Sequence, residues 1–437
     1  MQRVQIAEHV YLNCIQTDKF KCNYFTMNFI TPLREQTAAC HALLPMLLRR
    51  GCKEYPDILT LSERLQSLYN ASLSTSYNFK RGEMQIVGQS AWMLDNSLIP
   101  DGTDVVRKTL ETAASVWFSP LVSEGKFNEE YLSLEKRSLG DAIRAKINNK
   151  GAYAATRLME EMFSGEPYAV PETGTLPTLE NVTAAGLYDI YRNILDSAPC
   201  EMYYIGLGDI TFIADIFGDA FSNIQRNVRA LPKTEILRSA QHVREFAEAH
   251  PTGQSRLCLG FRSAVTEADG YRPALLLFNE IYGSGMLSKL FMNVREKLSL
   301  CYSCSSGIDQ HKGIMAVYCG IDSANKDAAQ SEILKQLEDV KSGCVTDAEF
   351  TAAKHSLCSS LRQIEDEPDS IAMWSLGRRL AGNPDTLDEE IEKIRALSLE
   401  DVVQVACGMS LDTVYFLKGG GKDPSDDGDE TEVELDA

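Results

Sequence analysis

The sequence predicts an α+β protein of two homologous domains, each a mainly antiparallel sheet packed with helices. Hydrophobic residues alternate with polar ones as in one-sided strands, and helix-like stretches follow these strands. The same order of elements then occurs twice within 437 residues, at an offset of 231 to 232. Strands mixed with runs of helices and hairpin-like strand pairs are typical of α+β layers.

The first half starts with a predicted strand in which Phe25, Met27 and Phe29 alternate with polar residues. A helix-like stretch, AACHALLPMLLRRG, follows and ends at Gly51. The segments LSERLQSLYNASLSTS and RGEMQIVG then predict a second helix and further strands. This half therefore reads strand, helix, helix and strands.

The second half repeats this order. The stretch LCLGF alternates like the first strand, and the helix-like YRPALLLFNEIYG ends at Gly283. LFMNVREKLSLCYSCSS and HKGIMAVYC complete the match, with Gly313 opposite Gly82. Several elements in register at one offset indicate a duplication.

Each half continues into helices, because residues 105–163 and 324–409 are rich in helix formers at helical spacing. Between the halves the chain turns polar and charged, and its end, GGGKDPSDD onward, has the composition of a disordered tail. We therefore predict an N-terminal domain over 1–225, a linker over 226–254, a C-terminal domain over 255–418 and an acidic disordered tail over 419–437.

The chain is acidic, with 43 Lys and Arg against 62 Asp and Glu and a formal net charge of −19. Residues 422–437 alone carry eight acids and one Lys. A field of this sign repels phosphate backbones and anionic lipid surfaces. We therefore expect no nucleic acid and no membrane as partners, and the charge favours basic peptides.

The N-terminus, MQRVQIAEHVYLNCIQTDKF, lacks a basic region followed by an apolar one, so no signal peptide is expected. The apolar runs are shorter than a membrane span. The 12 Cys are scattered without regular spacing, as buried thiols are in a reducing compartment. These features predict a cytoplasmic protein.

Common catalytic motifs are missing from the sequence. None of the six His lies in a His-Glu-x-x-His or a His-x-x-Glu-His motif, so a helical zinc pair is not expected. A Gly-x-x-x-x-Gly-Lys phosphate loop and a Gly-x-Ser-x-Gly elbow are also absent. These absences argue against zinc, phosphate-loop and serine-nucleophile chemistry on this chain.

Cys301 and Cys304 form a Cys-x-x-Cys motif within SLCYSCSSG. Without a second pair the motif cannot complete a four-ligand zinc site, and thioredoxin-like chemistry needs it at the start of a helix. The surroundings predict a strand, in which the two sulfurs would point to opposite faces. We interpret the pair as packed thiols, with redox or metal chemistry as the alternative.

Arg295 and Tyr302 lie seven apart in VREKLSLCY, where a helix end runs into a strand. Both side chains donate hydrogen bonds that suit a peptide carbonyl or a developing oxyanion. The alternative interpretation is an Arg held in a nearby salt bridge and a half-buried Tyr. The preceding Gly283-Ser284-Gly285 fits a close backbone approach to a ligand or a helix cap.

The stretch YGSGMLSKLFMNVREKLSLCYSCSSGIDQHKGIMAVYCGI resembles the second domain of pitrilysin/insulinase-like zinc peptidases, in the mitochondrial-processing-peptidase-like branch. More narrowly, it resembles bacterial subunits associated with aminopentanol modification of elongation factor P. The likeness in element order extends over roughly residues 5–418. It implies two α+β domains that enclose a chamber.

Active members of that family carry His-x-x-Glu-His on a helix of the first domain and a further Glu ligand downstream. In this chain Ala42 and Met46 occupy the two His positions, Pro45 the catalytic Glu position and Ala142 the later ligand position, while Glu135 keeps a supporting acid. Ala has no lone pair, Met is too soft for a hydrolytic zinc, and no carboxylate remains to activate water. The resemblance therefore implies no metal, no cofactor and no peptidase activity for this chain alone.

Two residues of the same helix support this expectation. His41 lies one residue beside a ligand position, which turns it about 100° around the helix axis. Pro45 is expected to disturb the helix backbone, because proline lacks the N–H that a helix interior uses.

In two-chain members of the family, the second domain of the metal-free subunit supplies an Arg and a Tyr seven apart, and Arg295 and Tyr302 match this pattern. The resemblance thus implies a non-catalytic subunit of a heterodimeric zinc metallopeptidase, with peptide as substrate and zinc in a homologous partner. Alone, the chain could pair with itself as a homodimer. The alternative is a catalytically dead scaffold or peptide-binding protein of the same fold. The processing-peptidase subunit has a long glycine-rich loop before this helix, whereas only residues 283–285 correspond to it here, so the sequence does not support substrate gating by such a loop.

Overall fold

The computed structural model describes residues 1–266, 269–383 and 385–419. These residues form two compact units, and each unit takes one segment from the opposite half of the chain. Unit 1 comprises Met1–Arg144, Val170–Lys233 and Glu365–Gly377, and unit 2 comprises Ala145–Ala169, Thr234–Ile364 and the described residues from Arg378 onward.

The strands, in chain order, are β1 (Gln2–Ala7), β2 (Val10–Gln16), β3 (Cys22–Pro32), β4 (Ser72–Leu73), β5 (Asn78–Arg81), β6 (Met84–Leu94), β7 (Val122–Ser123), β8 (Lys126–Phe127), β9 (Cys200–Gly206), β10 (Arg244–His250), β11 (Ser255–Arg262), β12 (Cys301–Asp309), β13 (Ile314–Ile321) and β14 (Ser410–Gly419).

The α-helices are α1 (Glu35–Leu48), α2 (Ile58–Ser67), α3 (Val105–Phe118), α4 (Glu129–Ala145), α5 (Lys150–Met162), α6 (Leu176–Glu180), α7 (Ala184–Ser197), α8 (Ile210–Phe221), α9 (Arg272–Asn279), α10 (Lys326–Lys341), α11 (Asp347–Gln363), α12 (Pro368–Leu380), α13 (Leu387–Ala396) and α14 (Leu399–Cys407). Several begin at a capping box, as at Thr346 with Glu349, which satisfies the free backbone N–H groups of the first turn.

The two main sheets share one topology. The sheet of unit 1 has the order β1-β2-β9-β3-β6-β4 with β5 also beside β6, and the sheet of unit 2 has the order β10-β14-β11-β13-β12. In each sheet one pair is parallel, β2 with β9 and β10 with β14, and the remaining pairs are antiparallel. Aligned at β9 and β14, five successive positions agree in order and direction. The predicted α+β fold with two related halves is thus confirmed.

The glycines paired by the sequence repeat lie in equivalent hairpin turns. Gly82 precedes β6 with φ of 54°, and Gly313 precedes β13 with φ of 70°. This left-handed conformation costs glycine little, because it lacks a Cβ atom.

The core of unit 1 lies between its sheet and its helices, with aromatic rings at the centre. Phe25 stacks on Phe217 with ring centroids 4.8 Å apart, and Phe29 stacks on Trp117 at 5.2 Å. β9 is buried at all seven positions because it lies between β2 and β3. This explains why its sequence, CEMYYIG, does not alternate.

In unit 2 one face of the sheet is covered by α5, a helix from the first half of the chain. Leu158 and Met162 of α5 pack with Cys258 of β11 and with Leu417 of β14. Burial of these apolar side chains is the main favourable term that holds α5 on the sheet.

Paired charges hold the residues that follow α5. Lys312 Nζ is fully buried and lies 2.7 Å from Glu166 Oε2, and the Tyr168 hydroxyl donates to Asp309 Oδ2 at 2.6 Å. Because a buried charge is costly unless it is paired, these contacts fix where residues 163–169 can lie against the sheet.

The predicted linker contains a strand, whereas the predicted tail lies almost entirely outside the described residues. The predicted linker, 226–254, contains β10, whose residues alternate between half-buried and exposed along the edge of the second sheet. Its charged residues, Arg244, Glu245 and Glu248, gave the segment the polarity of a connection. The predicted tail, 419–437, lies outside the described residues except for Gly419.

Among the described residues, every helix is too short or too polar to cross a lipid bilayer.

The packing of α5 generates a stability prediction. Leu158→Ala should lower the free energy of unfolding by about 2–5 kcal/mol, because it leaves a cavity at a fully buried position. Hydrogen exchange followed by mass spectrometry should show faster exchange in β11 and β14. Leu134→Ala on α4, where Leu134 is exposed, is the matched control and should change little. Unchanged exchange in β11 and β14 would contradict the packing described.

Candidate functional site

Helix α1 carries the positions where the family resemblance places zinc ligands. Ala42 and Pro45 are buried and Met46 is half-buried. The expected disturbance at Pro45 is absent: the helix continues to Leu48, and the Arg49 N–H donates to the Pro45 carbonyl at 3.1 Å. Pro45 lies in the last turn of α1, so the earlier hydrogen-bonded turns remain intact.

The second part of the site that the resemblance implies lies on α4. Glu135 is buried and forms an ion pair with Arg50, while Ala142 is exposed. None of the side chains at positions 42, 45, 46 and 142 carries a donor atom that suits a hydrolytic zinc. In the ranges that the structure describes, no group of three metal-ligating side chains forms around α1. The residues present therefore do not fit the family's zinc ion.

In the part of the chain that the structure describes, His41 does not face a metal site but takes part in a buried hydrogen-bond network. Its Nδ1 lies 2.9 Å from Gln85 Oε1, and Gln85 Nε2 in turn donates to Asn78 Oδ1 at 2.7 Å. Burial lowers the pKa of His41 to about 4, although the hydrogen bond with Gln85 opposes the shift. The imidazole is therefore neutral at neutral pH, with its Nδ1–H donated to Gln85.

A second candidate site lies in unit 2, where the chain winds into two π-helical segments. They cover Glu280–Ser284 and Leu290–Lys297. Such wide turns are rare and occur often at functional sites. In the first of them Gly283 approaches β12 closely, since a Cβ there would lie 2.3 Å from Ser306 Oγ. Glycine is thus required at this position by a close approach.

Arg295 and Tyr302 line the same cavity, of about 450 Å³, together with residues 283–285. The Arg295 side chain is 43% exposed, and its guanidinium lies 4.9 Å from the centre of the Phe291 ring. In the described part of the chain its salt bridge is a loose one, 3.6 Å to the adjacent Glu296. Tyr302 is 55% exposed. The structure brings the two predicted residues together and leaves their polar groups accessible.

The position of Tyr302 depends on a β-bulge in β12. Cys301 pairs with Ile321 and Ser303 with Gly320, so Tyr302 is an extra residue without a partner on β13. A bulge bends its strand and redirects side chains. β12 is also the last strand of its sheet, so one of its edges is unpaired within that sheet.

The same bulge corrects the prediction for Cys301 and Cys304. Their sulfurs do not point to opposite faces: together with the sulfur of Cys319 they all lie within 4.8 Å of one another. The extra residue shifts the alternation of β12 by one, which turns Cys301 toward the side of Cys304. The sequence analysis missed Cys319, although the hairpin places it directly opposite Cys304.

The three thiols influence each other's protonation. Hydrogen bonds from the Cys304 and Cys319 thiols, together with the nearby charge of Arg295, hold the pKa of Cys301 well below its usual range. The hydrogen bond to Cys301 and burial raise the pKa of Cys304. The three thiols therefore titrate as one coupled group, with Cys301 favoured as the thiolate.

The chain matches a known protein family over part of its length. Residues 181–357 match the family model described as the peptidase M16 inactive domain. Among curated proteins, the chain is 28% identical over 405 residues to a "Probable inactive metalloprotease YmfF" of Bacillus subtilis, covering 93% of this chain and 95% of the relative. It is 24% identical over 282 residues to an "Uncharacterized zinc protease YmxG" of the same organism, covering 63% and 67%.

Solved structures show the same fold. A conserved protein from Enterococcus faecalis V583 superimposes with a TM-score of 0.88 at 27% identity, over 97% of this chain and 99% of that one. A peptidase M16 inactive domain from Pseudomonas fluorescens superimposes with a TM-score of 0.79 at 18% identity, also over 97% and 99%. The predicted link to elongation factor P modification stays a prediction.

The environment of His41 predicts a pH dependence of stability. Because its pKa is about 4 in the folded protein and near 6.5 when exposed, the unfolded chain binds the proton more tightly. The free energy of unfolding should fall by up to about 3 kcal/mol as pH is lowered through this window. His41→Asn, measured by urea denaturation at several pH values, should remove this part of the dependence. His355→Asn at an exposed position is the control, and an unaltered profile in His41→Asn would contradict a buried neutral imidazole.

Proposed function

We propose that this chain, which matches the peptidase M16 inactive-domain model over residues 181–357, acts as the non-catalytic subunit of a heterodimeric zinc metallopeptidase. In this proposal a homologous partner with an intact His-x-x-Glu-His holds the zinc. This chain binds the peptide substrate and supplies Arg295 and Tyr302 to the composite site.

The observation that carries the proposal is that Arg295 and Tyr302 share one cavity wall with accessible polar groups. A guanidinium and a phenol hydroxyl both donate hydrogen bonds and can hold the carbonyl oxygen of a peptide. If the carbonyl develops negative charge during hydrolysis, the same donors bind it more strongly than they bind the substrate. Through this stronger binding of the charged carbonyl, a subunit without its own zinc can raise the rate of hydrolysis.

The edge of β12 supports binding of an extended peptide. An unpaired strand edge presents N–H and C=O groups to which a peptide can add as a further strand. Tyr302 lies on this strand, so a peptide bound there would pass its hydroxyl. Backbone hydrogen bonds would supply affinity with little dependence on sequence.

Apolar side chains beside the glycine turn support the same conclusion. Met286 is 82% exposed and Leu287 is 59% exposed, directly after residues 283–285. Exposed large apolar residues next to a cavity are typical of binding surfaces, and Met adapts to partners of different shape. They offer contacts for the apolar side chains of a peptide.

The test is cleavage of a mixed peptide library by this chain alone, by the zinc-bearing homologue alone, and by both together. We expect cleavage to require the mixture. In the mixture, Arg295→Ala and Tyr302→Phe should each lower kcat/KM by roughly 30- to 1000-fold, equivalent to about 2 to 4 kcal/mol of transition-state stabilisation.

Matched controls separate this role from general damage. Arg395→Ala and Tyr271→Phe alter exposed residues of the same types elsewhere in unit 2 and should leave cleavage unchanged. If the zinc-bearing homologue cleaves equally well alone, or if the Arg295 and Tyr302 variants match wild type, the chain is a scaffold of the same fold and the proposal fails.

A further inference from the structure

The three cysteines that meet under the bulge of β12 form a cluster which the peptidase role does not use. Cys304 and Cys319 are 4% and 2% exposed, and Cys301 is half-buried. All three sulfurs lie within 4.8 Å of one another. In the described ranges of the chain, this is the one group of three or more potential ligand atoms this close together.

The distances suit a thiophilic cation. In a tetrahedral zinc site with Zn–S bonds of about 2.3 Å, the sulfurs are about 3.8 Å apart. Sulfurs that already lie within 4.8 Å need to approach by about 1 Å at most, which small rotations of the cysteine side chains provide. Thiolates prefer soft or borderline ions such as Zn²⁺ over Mg²⁺ or Ca²⁺.

The backbone brings the three cysteine side chains close together. Cys304 and Cys319 are direct partners across the hairpin of β12 and β13, and the bulge at Tyr302 turns Cys301 toward them. A strand of regular alternation would place Cys301 on the other face. The ligand set therefore depends on a local distortion of the sheet, and bulges are often found next to functional sites.

We propose that Cys301, Cys304 and Cys319 bind one Zn²⁺ ion through three thiolates, with the fourth ligand supplied by solvent from the adjoining cavity. Each thiol that enters the site releases its proton to water, so the complex carries a net charge of −1. Arg295, which lines the cavity beside the cluster, provides the opposing charge. Cys304 and Cys319 line the same cavity as Arg295 and Tyr302, which gives the fourth position access to solvent.

Co²⁺ is the spectroscopic probe for this site, because it takes the same ligands as Zn²⁺ and its thiolate complexes absorb in the near ultraviolet. The full-length chain, reduced and freed of metal by a chelator, is titrated without any partner subunit. We expect a thiolate-to-cobalt charge-transfer band that saturates at one equivalent and disappears when Zn²⁺ is added.

Variants identify the ligands. Cys301→Ser and Cys319→Ser should each lose the saturable band, whereas Cys358→Ser, which alters a half-buried thiol on α11, should keep it. Circular dichroism of each variant shows whether it is folded. Cys301 is the decisive position, because it is the least buried of the three and its replacement by Ser perturbs packing least.

A second measurement needs no variant. Wild-type protein is alkylated with iodoacetamide with and without Zn²⁺, and the modified cysteines are identified by mass spectrometry. Zinc should protect Cys301 from alkylation while Cys344, which is exposed, reacts in both samples.

Three results would overturn the proposal. They are the absence of a saturable band in wild type, its retention in Cys301→Ser, and a disulfide between two of the three cysteines in place of metal binding. Because the titration uses this chain alone, its outcome is independent of whether a zinc-bearing peptidase partner exists.

Discussion

One extra residue in the edge strand β12 sets the chemistry of the second unit. Tyr302 has no partner on β13, whereas Cys301 and Ser303 on either side remain paired with it. The ladder fixes those two neighbours, so the bulge decides on which face of β12 the Cys301 side chain lies. It exposes Tyr302 on the wall that Arg295 also lines, and it turns Cys301 toward Cys304 and Cys319.

The two sites that the family resemblance implies differ in the burial of their side chains. On α1 the positions that the resemblance aligns with zinc ligands and the catalytic Glu hold Ala42, Met46 and Pro45, which are buried or half-buried and stabilise the fold through packing. In unit 2, by contrast, Arg295 and Tyr302 are 43% and 55% exposed and contribute little to any core. Loosely held polar groups at a cavity favour a role in binding over a role in stability.

The duplicated fold could be predicted from the sequence, because strand alternation and left-handed glycines such as Gly82 and Gly313 are local signals. The pairing of Arg295 with Tyr302 followed from a family resemblance, and the structure places both on one cavity. The bulge could not be predicted, because a strand is read with a fixed period of two. The packing of α5 on the second sheet could not be predicted from the sequence either, because it depends on contacts between distant parts of the chain.

Photocrosslinking tests the proposed binding of a peptide at the bulge of β12. Tyr302 is replaced by p-benzoylphenylalanine, and the assembled complex is irradiated with a labelled peptide that it cleaves. A parallel protein carries the same photoreactive residue at Tyr271, which is exposed elsewhere in unit 2. Peptide binding at the bulge predicts labelling of the peptide from position 302 and not from position 271. Equal labelling from both positions, or none from 302, would contradict it.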